Sequence, residues 1–158
     1  MEQKFNAPME KVFGLLTDAK WLEARSNALG ELSAACKAKK AAGGVAVTMK
    51  RRVRRELNAI ISKVLNPDID IVLEERWTAE KARYTGTYAL EIVGKPITVS
   101  ADFELAPEGK GCVYRIQHSA KVRVPIIGGV VEKFIMGQTV QGCADELDYL
   151  AEYLKKNK

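Results

Sequence analysis

Three ionisable residues fall where the hydropathy pattern calls for apolar ones. Arg51, Glu75 and His118 lie in phase with the apolar side of runs that alternate at strand period: Val45, Val47, Met49 and Val53; Ile69, Ile71, Leu73 and Trp77; Cys112, Tyr114 and Ile116. An unpaired charge on the covered face of a sheet is costly, so each needs a partner, water or a ligand. Arg51 and Glu75 could pair with each other or end in solvent. Alternatively, the three line a cavity and bind the polar head of an otherwise apolar molecule. Glu75 or His118 could serve as an acid or base if burial moves its pKa. A Ser-His-Asp or Cys-His constellation would have to use His118, the only histidine, and neither a nucleophile elbow nor a cysteine motif accompanies it. No catalytic residue is assigned. Trp77, Tyr84, Tyr88, Phe103 and Tyr114 would supply aromatic walls or ordinary core packing equally well.

A second group lies in the last third of the chain. Val131, Phe134, Ile135, Gln138, Leu147, Leu150 and Leu154 form a stripe at helical spacing, interrupted by Gly137 and Gly142. Each glycine costs on the order of 1 kcal/mol relative to alanine inside a helix. Close packing of the helix on a strand would compensate; so would space kept open for a ligand.

These side chains must be positioned by a series of short elements. Glu2 to Phe5 reads as a first strand. Asn6-Ala7-Pro8 opens a helix carrying Met9, Val12, Phe13 and Leu16, and Thr17-Asp18 starts another with Trp21, Leu22, Arg25 and Leu29, closed by Gly30. Residues 31 to 41 and 45 to 55 form a hairpin about Gly43-Gly44, and four alternating runs follow between Ile69 and Val124, with turns at Gly94-Lys95-Pro96 and Glu108-Gly109-Lys110-Gly111. Between hairpin and fourth strand, Leu57, Ile60, Ile61, Val64 and Leu65 match a helix of about two turns that must rest on something apolar. It reads as a packed connector or as a lid over a cavity mouth. Pro125 ends the strands, and one long helix runs on to Lys158.

At 158 residues and 47% hydrophobic, the chain fits one domain, 1–158, with a sizeable core. No apolar run approaches the length of a membrane span and no secretory signal opens the chain, so a soluble, cytoplasmic protein is expected. Cys36, Cys112 and Cys143 are far apart and form no CxxC pair, which suits buried thiols. No metal site is expected. Gly43-Gly44 and Gly128-Gly129 lack a phosphate-binding pattern, and no cofactor is expected.

The net charge of +5 is unevenly placed. Residues 32 to 55 hold eight Lys or Arg and no acid, against 17 bases and 20 acids elsewhere. Without an aromatic for base stacking, this segment does not point to nucleic acid. Attraction of segment 37–55 to an anionic membrane fits better, each base contributing about 1 kcal/mol near such a surface, with the apolar stretch 57 to 65 following directly.

Val124-Pro125-Ile126-Ile127-Gly128-Gly129-Val130-Val131-Glu132, with Glu75-Arg76-Trp77 and Val93-Gly94-Lys95-Pro96, resembles a bacterial START-like family of uncharacterised function. The resemblance covers essentially the whole chain. It implies the helix-grip fold of the START and pollen-allergen-like, polyketide cyclase-like superfamily: an α+β domain whose seven-stranded antiparallel sheet wraps a long C-terminal helix. Two short helices follow strand 1, and an extra short helix lies between strands 3 and 4. It further implies a cavity for a hydrophobic or lipid-like small molecule, bound, transferred or sensed there. Enzymatic cyclisation, dehydration or hydrolysis in the same cavity is the alternative. The expected ligand-binding residues are Arg51, Glu75, Trp77, Tyr88, Phe103, Tyr114, His118, Phe134, Gly137, Gln138 and Gly142, with Leu57, Ile60, Ile61, Val64 and Leu65 as the lid.

Overall fold

Period-two alternation builds seven strands, and their hairpin turns close them into one sheet. The computed structural model describes residues 1–158. In chain order the elements are β1 (Glu2–Phe5), α1 (Met9–Leu16), α2 (Ala19–Ala28), β2 (Ser33–Ala41), β3 (Gly44–Arg54), β4 (Asp68–Ala79), β5 (Tyr84–Ile92), β6 (Ile97–Glu108), β7 (Gly111–Val122) and α3 (Gly128–Lys156). The sheet is antiparallel throughout in the order β1-β7-β6-β5-β4-β3-β2. Its concave face carries the apolar residues and α3 lies across it, which is the helix-grip arrangement. No helix is long and apolar enough to cross a membrane.

Local chemistry places the small helices. Pro8, not Asn6, occupies the N-cap of α1, and no side chain caps that end. Asp18 caps α2 by accepting the Trp21 N–H at 2.8 Å. Gly30 ends α2 at φ +85°, a conformation that costs glycine nothing. Glu23 on α2 accepts the backbone N–H of Cys36 at 2.7 Å, fastening α2 to edge strand β2. Trp21 packs against Tyr149 and Tyr153 of α3 at 5.9 and 5.6 Å between ring centroids.

The stretch with helical periodicity at 57–65 forms only a 3-10 turn over Ile61–Lys63. Asn58 Oδ1 accepts the Ile61 N–H at 2.9 Å and so completes the turn locally. Ile60, Ile61 and Val64 are β-branched, which further weakens a longer helix. Ile61 and Leu65 are buried, whereas Ile60 is exposed.

One strand position is set by a close approach. Gly86 on β5 sits between Trp77 of β4 and Phe103 of β6, whose rings meet over it at 4.5 Å. A Cβ there would lie 2.3 Å from the Phe103 ring and 2.6 Å from the Arg76 carbonyl oxygen. Gly86→Val should therefore cost about 1–3 kcal/mol, the range for overpacking. Chemical denaturation would show this as a lower midpoint, and an unchanged midpoint would refute the proposed crowding.

Candidate functional site

α3 buries Val131 and Ile135 near its start and Leu147, Leu150 and Leu154 near its end, but nothing between Ile135 and Leu147. At the helical rise, that interval spans roughly 18 Å. Beneath it lies a pocket of about 400 Å³ lined by 29 residues, 16 of them hydrophobic. The apolar part comes from Val47, Met49, Leu73, Leu90 and neighbouring strand residues, with Phe134 and Ile135 above. Exposed lining residues at Leu29, Gly30, Gln138, Gln141 and Asp145 mark an opening between the α2–β2 connection and the middle of α3.

The charged part is a clasp between three elements. Arg51 Nη1 on β3 donates to Glu146 Oε1 on α3 at 2.7 Å and to Glu31 Oε1 at 3.0 Å. Arg25 Nη2 on α2 lies 3.2 Å from Glu146 Oε2, and its guanidinium stands over the Trp21 ring at 5.7 Å. Burial alone would raise the Glu146 pKa, but Arg25 and Arg51 outweigh it and hold that carboxyl below its ordinary range. Glu31 moves the other way, because burial and the nearby Glu146 carboxylate together exceed the pull of Arg51.

A quieter row crosses the floor. Register pairs Glu75 with Tyr88, Tyr88 with Ala101 and Ala101 with His118. Glu75 makes no ion pair; its Oε2 accepts the Trp77 Nε1–H at 3.0 Å. Burial raises its pKa more than this bond and the Arg25 and Arg51 fields lower it. Glu75 lines the pocket. His118 is 8% exposed, its pKa lowered by burial and secondarily by the N-terminal ammonium, and its Nε2 has no hydrogen-bond partner. The Tyr88 ring meets it edge-on at 5.6 Å. Burial lifts the Tyr88 and Tyr114 hydroxyl pKa values, and raises the thiol of the lining residue Cys143 to about 12. Cys36, Cys112 and Cys143 are all free thiols.

The pocket brings together Arg51, Glu75, Tyr88, Tyr114, His118, Phe134, Gln138 and Gly142. It does not bring in Trp77, Phe103 or Gly137. Trp77 and Phe103 lie past its end in an aromatic stack with Phe13 of α1 and Tyr84, because α1 covers that part of the sheet. Gly137 faces solvent, where a Cβ would find nothing within 4 Å, and Gly142 has the same clearance on the pocket side. Close strand packing thus explains neither glycine. None of Leu57, Ile60, Ile61, Val64 and Leu65 lines the pocket. Sequence reasoning missed Arg25, Glu31 and Glu146. Glu146 carried a signal, four residues from both Gly142 and Leu150 on the inward stripe.

The basic hairpin is also subdivided by the fold. Arg51 turns inward, and Arg52 and Arg54 pair with Asp68 and Asp70 of β4, most closely Arg54–Asp68 at 2.7 Å. Lys37, Lys39, Lys40 and Lys50 are exposed on the β2–β3 hairpin without an ion pair.

Residues 1–154 match the family described as "Protein of unknown function (DUF2505)". No curated protein matches the sequence. Among solved structures, TTHA0849 from Thermus thermophilus aligns with a TM-score of 0.68 at 19% identity, over 100% of this chain and 97% of that one. A START superfamily protein from Mycobacterium smegmatis aligns with 0.64 at 16% identity, over 98% and 96%. Ara h 8.0201 aligns with 0.61 at 14% identity, over 97% and 95%. These likenesses show the fold.

The Glu75 environment makes a pH-dependent prediction. Below its ordinary value of 4.5 the carboxyl is protonated whether folded or unfolded. Above it the unfolded chain ionises first, and folding stability is lost as pH rises through the raised folded value. Glu75→Gln should therefore stabilise the protein at neutral pH and lose that advantage in acid. Denaturation midpoints across that range would check it; a gain independent of pH would refute it.

Proposed function

We propose, from the premise that the chain belongs to the DUF2505 family and has a START-like helix-grip fold, that it binds a hydrophobic or lipid-like small molecule between sheet and C-terminal helix and carries, senses or transfers it. The observation that carries this reading is the interrupted contact of α3, which leaves about 400 Å³ open beneath Gly142. That volume lies within the usual range for small-molecule sites. Its apolar walls suit a hydrocarbon body, and the Glu75, Tyr88 and His118 row gives a polar head something to meet. The site would comprise Arg51, Glu75, Tyr88, Tyr114, His118, Phe134, Gln138 and Gly142, joined by Arg25, Glu31 and Glu146. Catalysis has less support: the one lining thiol is held protonated by burial, and no nucleophile is paired with His118.

Gly142 gives the direct test. Its Cβ position is open and its backbone helical, so Gly142→Leu should fill the pocket while raising helix stability by up to about 1 kcal/mol. Solvent extraction and mass spectrometry should recover a co-purified hydrophobic molecule from the parent protein and from Gly137→Leu, but not from Gly142→Leu. Equal recovery from all three would refute the site.

Release into or uptake from a bilayer would draw on Lys37, Lys39, Lys40 and Lys50, which have no acidic partners to neutralise them. Flotation with anionic liposomes should exceed that with neutral ones, and replacing these four lysines by glutamine should remove the difference. Equal flotation on both liposomes would remove membrane contact from the proposal.

A further inference from the structure

Both guanidinium groups of the clasp are already answered by carboxylates. Arg51 divides Nη1 between Glu31 and Glu146 at 3.0 and 2.7 Å, and Arg25 approaches the second Glu146 oxygen at 3.2 Å. Glu75 adds a third acidic side chain with no cation within ion-pair distance. We infer that the pocket selects a ligand whose polar head is uncharged, a hydroxyl or carbonyl on an apolar body, over one that carries a carboxylate or phosphate. This deepens the carrier reading and rests on it.

An entering carboxylate would meet in the clasp no guanidinium whose charge is not already matched by Glu31 or Glu146. It would have to displace one of them, leaving it unpaired, or lie among three acidic groups. Either course buries an uncompensated charge, which a low-dielectric interior penalises.

The hydroxyls that line the space suit an uncharged head. Those of Tyr88 and Tyr114 border the pocket and can turn to donate or to accept. A ligand hydroxyl or carbonyl is met there without disturbing the clasp.

The test uses chain-matched probes at near-neutral pH, decanol and decanoate, titrated by calorimetry into delipidated protein. Decanol should bind at least about tenfold more tightly than decanoate, a difference of about 1.4 kcal/mol. Glu146→Gln should release Arg25 and Arg51 and raise the affinity for decanoate relative to decanol about tenfold. Glu31→Gln supplies the same comparison should Glu146→Gln fail to fold. Decanoate matching decanol on the parent protein would overturn the inference but leave the pocket as a binding site. So would a carboxylate gain absent from the folded glutamine variant. Binding of neither probe would overturn the carrier reading itself.

Discussion

The hydrogen bond between Arg51 and Glu146 joins the sheet to the helix above it, and the pocket depends on this link. A helix that covers a sheet ordinarily does so through continuous side-chain packing, which would leave no room beneath it. Here α3 packs at both ends and is held in the middle by charge. Long side chains rising from β3 and α2 meet the carboxylate of Glu146, bridging a separation that aliphatic residues would close. Such a clasp is not strong evidence for net stability, because desolvating four charged groups offsets much of the attraction. Its structural consequence is a fixed height for the helix. Loss of a single partner would leave charges buried without compensation, so the members are bound to act as a unit.

The architecture was legible because period-two alternation and turn chemistry are local. Strand boundaries, Asp18 as a cap, Gly30 as a stop and the long terminal helix all followed from residues a few positions apart. Arg51, Glu75 and His118 were legible as anomalies within that pattern. Their partners were not, because partnership is tertiary: Arg51 and Glu146 are 95 positions apart, and Glu31 lies in a connection without periodicity. Arg25 was visible on the inward face of its helix, but nothing local distinguishes a buried arginine from one whose stem lies along apolar surface.

Two departures have the same physical origin. The 57–65 segment has helical spacing, yet Asn58 completes a single turn and Ile61 and Leu65 drop into the core, so the spacing reports two anchors rather than an amphipathic face. Trp77 and Phe103 alternate in phase with the pocket residues, but strand phase specifies the face and not the position along it. Position was decided by α1, whose Phe13 stacks on Tyr84 at 3.8 Å and draws the aromatic cluster to that end. Periodicity therefore chose the correct side of the sheet and could not divide it into covered and uncovered parts.

That division also separates the roles of the acidic residues. Glu146 and Glu75 share one pocket, yet their pKa values are driven in opposite directions. Two guanidiniums more than offset the burial of the first, while a single indole N–H does not offset that of the second. Glu146 is thereby committed to the clasp, ionised and occupied. Glu75 has spare capacity, as do Tyr88 and His118 beside it on the same transverse row. The apolar stripe of α3 was first of all a packing requirement; its interruption turns the enclosed polar row into the part of the molecule whose interactions are still incomplete.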